Sequence, residues 1–131
     1  MPSISADEGN GLLAWDEVGE IVLEALTPDE RTRGIAYVDR RLLVPGESVH
    51  ANGREVDIEA PCVMGFIDRD PAANWGHDAR YLLVDARDGS VQSFDAQFPP
   101  YLRGASPTLR LVWKGPAAPD WAAATRLGLA D

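Results

Sequence analysis

The spacing of hydrophobic and polar positions changes near residue 35, from a helical period to a strand period. Between residues 12 and 26, apolar side chains recur at steps of three and four, which predicts the buried face of an amphipathic helix. The segment 27–30, Thr-Pro-Asp-Glu, has the form of a capping box, and Gly34 follows where a helix would end. We therefore expect an N-terminal helical hairpin whose second helix is short.

After this change, short apolar runs bounded by turn residues predict a series of strands. The clearest runs occupy residues 35–38, 42–44, 62–67 and 81–84. The run at 62–67 is apolar at both alternating positions, which is typical of a strand that is buried on both faces. It is expected to lie in the middle of a sheet.

Two dipeptides predict tight hairpin turns, because Asn, Asp and Gly adopt positive φ more easily than other residues. Asn-Gly at 52–53 is expected to join strands at 47–51 and 54–58. Asp-Gly at 88–89 is expected to lead into a return strand at 91–96. Both turns favour antiparallel pairing over the parallel kind.

The C-terminal part predicts one more strand and one more helix. Residues 108–114 alternate, with Leu109, Leu111 and Trp113 on one side, which is typical of a half-buried strand near a sheet edge. Asp120 is expected to cap a short C-terminal helix.

Together these elements indicate an α+β fold. It would comprise the N-terminal helical hairpin, a mainly antiparallel sheet of six to seven strands forming a sandwich or partial barrel, and the short C-terminal helix. Residues 1–10 are polar and are expected to form a disordered tail. Residues 11–131 are expected to form a single domain that is large enough to bury a core without disulfides.

The charge of the chain is concentrated near its N-terminus. The formal net charge is −9, and residues 1–30 contain eight Asp and Glu side chains and no Lys or Arg. Such a surface repels phosphate groups, so nucleic acid and anionic membranes are not expected as partners. The acidic segment is either a solvated helix face or a docking surface for a basic protein.

Cysteine content and hydropathy bear on compartment and cofactors. The single cysteine, Cys62, excludes an internal disulfide and fits a reducing compartment. No apolar run reaches membrane-spanning length, and residues 1–10 do not have the form of a signal peptide. We therefore expect a cytoplasmic protein without a cofactor.

The longest segment without a hydrophobic period, residues 68–80, is the candidate site. Loops of this length that carry a large aromatic side chain are often functional. His77 is suited to proton transfer near neutral pH, and Asp68 or Asp70 could orient it if the loop folds back. In the competing interpretation Trp75 anchors the loop on the core and His77 bonds a loop carbonyl.

Carboxylates and the cysteine in this region suggest other chemistry without specifying it. Asp68 and Asp70 could contribute to a metal site, but their spacing matches no known metal-binding loop, and no metal is expected. Otherwise Asp68 accepts loop amide hydrogens and Asp70 starts a turn. Cys62 could be a nucleophile with His77 as its base, yet it lies in an apolar run and is expected to be structural.

Several aromatic and polar side chains fall in loops or terminal segments, where they could anchor an interface. The candidate binding residues are Asn74, Trp75, Arg80, Tyr101 and Trp121.

Two hypotheses from different classes follow. In the first, the chain is a small acidic protein-binding module, an accessory, inhibitory or immunity-type factor, that uses the 68–80 loop and the acidic N-terminal helix. In the second, it is a small enzyme or ligand-binding β-barrel with a pocket around Asp68, Asp70, His77 and Arg80. A homodimer built on the edge strand 108–114 is compatible with both.

Overall fold

The computed structural model describes residues 11–51, 53–73, 78–97 and 108–120. Within these ranges the chain forms two helices and seven strands, which confirms an α+β fold with an antiparallel sheet. In chain order the elements are α1 (Trp15–Ala25), α2 (Pro28–Arg33), β1 (Ile35–Asp39), β2 (Ser48–Ala51), β3 (Arg54–Asp57), β4 (Cys62–Asp68), β5 (Ala79–Asp85), β6 (Val91–Ala96) and β7 (Leu109–Lys114).

Five of the strands form one sheet in the order β6-β5-β4-β1-β7, and every neighbouring pair is antiparallel. The other two strands, β2 and β3, form a separate hairpin. Because side chains alternate along a strand, the sheet presents two apolar faces. The helices cover one face and the β2–β3 hairpin covers part of the other, so the molecule has three layers.

The core on the hairpin side contains a row of aromatic rings across three neighbouring strands. Tyr37 pairs with Phe66, and Phe66 pairs with Tyr81. The ring centroids are 5.8 Å apart in the first pair and 5.9 Å apart in the second. The hairpin covers this side with Val49 of β2 and with Ile58, the residue after β3; both are buried.

The core on the helix side depends on close packing of α1 against the middle of the sheet. Val18 and Val22 of α1 are fully buried against apolar side chains of β4 and β5. Gly65 of β4 lies beneath α1, where a Cβ atom would be 3.1 Å from Cγ2 of Val22. The lack of a side chain at this position lets the helix approach the sheet.

The short helix α2 is completed by side chains and backbone from both ends of the chain. At its start, the predicted capping box is present: the hydroxyl of Thr27 accepts from the backbone N–H of Glu30, and the carboxylate of Glu30 accepts from that of Thr27. At its end, backbone N–H groups of Gly115 and Ala117 donate to the carbonyls of Gly34 and Thr32, each at 2.9 Å.

Both predicted hairpins are present. Ala51 pairs with Arg54 across the first turn, and Gly53 has a φ of 79°. Gly89 has the same φ in the turn between β5 and β6. The prediction of a strand buried on both faces is also confirmed, since every residue of β4 is buried.

One strand prediction was wrong, and one was confirmed except for its side-chain alternation. Residues 42–44 form only an isolated bridge, between Leu43 and Cys62. The predicted alternation of residues 108–114 is interrupted, because the pairing of β7 with β1 shifts register between Ala36 and Tyr37. Such a β-bulge turns the side chains beyond it to the other face of the sheet. Trp113 therefore packs on the helix side, whereas Leu111 is 50% exposed.

Several predictions lie outside the described residues or stay untested. The tail 1–10 and all of the C-terminal helix beyond Asp120 fall outside the described ranges. The packing of α1 and α2 as a helical hairpin stays a prediction. Among the described strands, β7 is at the edge of the sheet, as expected.

Candidate functional site

The described residues include both ends of the 68–80 loop but not its middle. Asp68 ends β4 and Arg80 is the second residue of β5, while Asn74, Trp75 and His77 fall in the gap between residues 73 and 78. Tyr101 and Trp121, the other predicted binding residues, also lie outside the described ranges. The site is therefore built from the base of the loop and from the elements that hold it.

The structure does not bring Asp68 and Arg80 together, because they project from opposite faces of the sheet. Asp68 is 1% exposed and lies on the hairpin side near Tyr37. Burial and the Asp68 carboxylate both raise the pKa of Tyr37. Arg80 projects from the helix side, where its guanidinium reaches Glu30.

Asp70 is exposed and helps to turn the chain at the start of the loop. Its backbone N–H donates to Oδ1 of Asp68 at 3.1 Å, and its carbonyl accepts from the N–H of Ala73 at 3.0 Å. These bonds form a local turn after β4.

Glu30 is the centre of a buried ionic network on the helix side. It is 2% exposed, and its carboxylate accepts from Arg80 Nη2 at 2.7 Å and from Arg69 Nε at 2.8 Å. Burial alone would raise the pKa of this carboxyl group. Hydrogen bonds from Arg80, Arg69 and the N–H of Thr27 outweigh burial, so the pKa of Glu30 is lowered.

The two arginines connect Glu30 to four other parts of the fold. Arg80 donates to the carbonyl of Ala25 at 2.8 Å and to the hydroxyl of Ser93 at 3.1 Å. Arg69 bonds both carboxylate oxygens of Asp78 at 3.1 Å and lies 3.7 Å from a carboxylate oxygen of Asp95. The C-terminal end of α1 and both ends of the loop are thus joined in one assembly.

The solvent side of α1 carries three exposed carboxylates at successive turns, which we call the acidic line: Asp16, Glu20 and Glu24. Residues four apart lie on one face of a helix, so the three side chains are neighbours. In the described part of the chain, none of the three has an Arg, Lys or His within ion-pair distance.

Two more exposed carboxylates lie at the base of the loop. The side chains of Asp78 and Asp95 are 65% and 76% exposed, and both share Arg69. Arg69 also bonds Glu30, which leaves little of its charge for a further anion. The surface at this end of the molecule is therefore acidic as well.

On the opposite side of the sheet, a groove of about 800 Å³ lies between β3 and the strands β5 and β6. We call it the hairpin groove. Its lining residues are Arg54, Glu55, Val56, Asp57, Ile58, Glu59, Ala60, Cys62, Leu83, Asp85, Arg87, Ser90, Gln92, Ser93 and Phe94. The local sequence predicted the β2–β3 hairpin, but it contained no information on where the hairpin would pack.

Both cationic side chains that line the hairpin groove already have partners. The guanidinium of Arg54 lies 5.8 Å from the ring centroid of Phe94. Arg87 forms a side-chain hydrogen bond with Asp85 at 2.9 Å, and this bond is the main reason that the pKa of Asp85 falls to about 2. The remaining charged side chains of the groove are carboxylates.

Cys62 lies in the wall of this groove and is buried. Burial, together with the nearby carboxylates of Asp85 and Glu47, raises the pKa of its thiol to about 11. A protonated thiol is a poor nucleophile, so the geometry favours the structural role over the catalytic one.

Comparison with known proteins gives no assignment. No protein-family model, curated protein or solved structure matches the chain. Within the described ranges, His, Cys, Asp and Glu side chains do not form a group of three or more that could hold a metal ion. None of the helices described has the length and apolar content that are needed to span a membrane.

Proposed function

We propose that the chain is a protein-binding module, an accessory, inhibitory or immunity-type factor, whose partner presents a basic surface to α1 and to the 68–80 loop. The observation that carries this proposal is the acidic line, three exposed carboxylates at successive turns of α1 without a described cationic neighbour.

Within the acidic line, only Asp16 lies in the first turn of α1, where the helix dipole favours an anion. Like charges four residues apart destabilise a helix by roughly 0.2–0.5 kcal/mol per pair. Glu24 also lies in the last turn, where the helix dipole favours cations, and this turn contains no basic residue. A surface that opposes local stability is typical of a site that is maintained for binding.

The position of α1 makes the acidic line a rigid surface. The opposite face of the helix is buried through Val18 and Val22, and the carbonyl of Ala25 is held by Arg80. A partner that carries Lys or Arg side chains at a matching spacing would therefore meet carboxylates on a helix whose backbone is already fixed. Such preorganisation lowers the entropic cost of association.

The test compares capture of host proteins by wild type and by the neutral variant Asp16→Asn/Glu20→Gln/Glu24→Gln. A second variant, Asp29→Asn/Asp88→Asn/Asp120→Asn, removes the same number of exposed carboxylates outside α1 and outside the hairpin groove. We expect a basic protein that is retained by wild type and by the second variant, is lost with the first, and elutes as salt is raised.

The contribution of the loop is tested in the same experiment with Trp75→Ala/His77→Ala. Loss of the same protein, with melting unchanged, would support the loop as part of the interface. If all the variants retain the same proteins as wild type, the proposed function is wrong.

The enzyme or ligand-binding alternative stays a prediction, because His77 lies outside the described residues. The placement of Asp68 and Arg80 on opposite faces gives it no support. Its test is His77→Ala, which under this alternative should leave melting unchanged and abolish turnover or ligand binding. The homodimer on β7 and the cytoplasmic location also stay predictions, and sedimentation measurements and fractionation of host cells would test them.

A further inference from the structure

The wall of the hairpin groove is formed by the outer edge of β3. All four residues of β3 line the groove, as do the three that follow, whereas β2 contributes none among the described residues. Since β3 pairs with β2 on its other side, the edge that faces the groove is the one outside the hairpin.

The hydrogen-bonding pattern of the hairpin shows which backbone groups this edge offers. The N–H of Ile58 donates to the carbonyl of Glu47, and the pairing continues from there in register to the turn. In an antiparallel ladder, hydrogen-bonded and non-bonded pairs alternate. The backbone N–H and C=O groups of Glu55 and Asp57 therefore point away from β2, and none of the described residues pairs with them.

The floor of the groove is apolar where a further strand would lie. Leu83 and Phe94 project from the hairpin side of β5 and β6, and Val56 faces the same space from β3. The side chains of a strand alternate, so every second side chain of an added strand would point to this floor. The side chains between them would lie next to the exposed carboxylates of Glu55 and Asp57.

The charge of the groove selects a basic occupant. It is lined by four carboxylates and two arginines, so carboxylates exceed guanidinium groups by two. Asp85 is paired with Arg87, and Arg54 lies against Phe94, which leaves Glu55, Asp57 and Glu59 as the exposed carboxylates. A second copy of this chain would bring its own net charge of −9 and is disfavoured. In an extended segment with alternating apolar and basic side chains, the apolar ones would contact the floor of the groove and the basic ones would lie near the exposed carboxylates of β3.

We propose that the hairpin groove binds an extended basic segment of a partner protein, which pairs with β3 as a third strand of the β2–β3 hairpin. Backbone hydrogen bonds would give most of the affinity, and the alternation of side chains would give specificity. This surface lies on the face of the sheet opposite α1, so the proposal does not rest on the acidic line.

The test begins with a phage-displayed library of random octapeptides that is panned on the wild-type protein. We expect the selected peptides to carry a net positive charge and to alternate apolar and basic residues. Their affinity is then measured for Asp57→Pro and for Asp57→Ala. Proline removes the backbone N–H of residue 57, which points into the groove and forms no hydrogen bond with β2. Alanine removes the same carboxylate but keeps that N–H.

Binding should weaken about tenfold or more with Asp57→Pro, and about threefold or less with Asp57→Ala. As a test that leaves the protein unchanged, the best peptide is N-methylated at alternate residues. Methylation at the positions that face β3 should abolish binding, and methylation at the intervening positions should not.

Failure of the library to yield binders, or binders that are equally tight for wild type and Asp57→Pro and are insensitive to methylation, would overturn the proposal. The variant Asp16→Asn/Glu20→Gln/Glu24→Gln separates this result from that of the proposed function, since it should bind the selected peptides as wild type does. If it loses them, the peptides bind α1 and the assignment of the groove is wrong.

Discussion

Glu30 performs two structural tasks with one carboxylate. It closes the capping box of α2 by accepting the N–H of Thr27, and it neutralises Arg69 and Arg80 at a buried position. The arginine side chains are 25% and 12% exposed, so they would keep little hydration if the carboxylate were lost. One residue thus supplies the carboxylate that joins both ends of the 68–80 loop, through Arg69 and Arg80, to the start of α2.

Replacement of Glu30 by Gln should therefore be strongly destabilising. Among the described residues, the change leaves the partly buried Arg80 without a carboxylate partner and leaves Arg69 with only the exposed Asp78 and Asp95, at a cost of about 3 kcal/mol in the free energy of unfolding. Asp29→Asn is the matched control, because Asp29 is in the same helix and forms an exposed ion pair with Arg33. Chemical denaturation should show a clear loss for Glu30→Gln and little change for the control.

The same carboxylate predicts how stability responds to acid. The pKa of Glu30 is lowered in the fold, so its contribution is complete above the ordinary value of 4.5 and is lost as pH falls through the lower, folded value. The difference in stability between wild type and Glu30→Gln should be constant from about pH 6 to about pH 8. The difference in stability should become smaller below about pH 4.5, as Glu30 becomes protonated. A difference that persists in strong acid would contradict the ionic role of Glu30.

The sequence predicted half of this arrangement. The capping role of Glu30 follows from its position three residues after Thr27, which is a local pattern. Its arginine partners are 39 and 50 residues away, and only the sheet topology brings them together. For the same reason, the sequence did not show whether Asp68 and Arg80 line one pocket. The answer depends on which face of the sheet each side chain occupies in β4 and β5.

At the scale of elements, α1 and β4 fit together through a missing side chain. A Cβ atom at Gly65 would lie 3.1 Å from Val22 and 3.5 Å from the Cβ of Leu82. Neither atom is the end of a flexible side chain: one is a methyl group of the β-branched Val22, and the other is the Cβ of Leu82. The distance between helix and sheet is therefore set by this glycine.

Two glycine substitutions should have opposite effects. Gly65→Ala forces α1 away from the sheet and should cost about 1–3 kcal/mol, as overpacking of a core commonly does. Gly19→Ala lies in the middle of α1 with open space around it, and it should stabilise by up to about 1 kcal/mol through helix propensity. Thermal denaturation of the two variants and wild type measures both effects, and equal signs would contradict the packing described.

Predictions of elements were good where the pattern was local and strong. The hairpin turns, the buried strand β4 and the capping box of α2 all follow from short segments. The bulge in β7 was missed because Leu109, Leu111 and Trp113 alternate perfectly in sequence, and the shift depends on the partner strand β1. Residues 42–44 have strand propensity but make only one bridge.

At the scale of the whole molecule, negative charge is present on both faces of the sheet. The acidic line lies on the helix side, and the carboxylates of the hairpin groove lie on the other. A net charge of −9 on a chain of 131 residues also repels itself within the folded state. The two proposed binding surfaces therefore share one electrostatic preference while differing in shape.

This charge predicts a dependence of stability on salt. Raising ionic strength from about 0.02 M to about 0.3 M screens repulsion between exposed carboxylates and should raise the melting temperature of wild type. The variant Asp16→Asn/Glu20→Gln/Glu24→Gln should melt higher at low salt and gain less from added salt. Identical salt dependence of the two proteins would show that the acidic line contributes no repulsion.

The order of the strands could not be predicted from local patterns. The first strand, β1, lies between β4 and β7, so its two neighbours come from distant parts of the sequence. Turn chemistry specifies only which consecutive strands form hairpins, here β2 with β3 and β5 with β6. The positions of β1 and β7 depend on how apolar faces are shared across the molecule.

The bonds that complete α2 bear on the order in which the chain acquires its structure. A six-residue helix does not persist alone, and the carbonyls at its end are bonded by Gly115 and Ala117, about eighty residues later in the chain. Although α2 leaves the ribosome early, we expect its last bonds to form only after β7 has joined the sheet, because Gly115 and Ala117 follow β7 in the chain. Pulsed hydrogen exchange during refolding should accordingly protect the amides of β4 and β5 before those of Gly115 and Ala117, which donate to the end of α2.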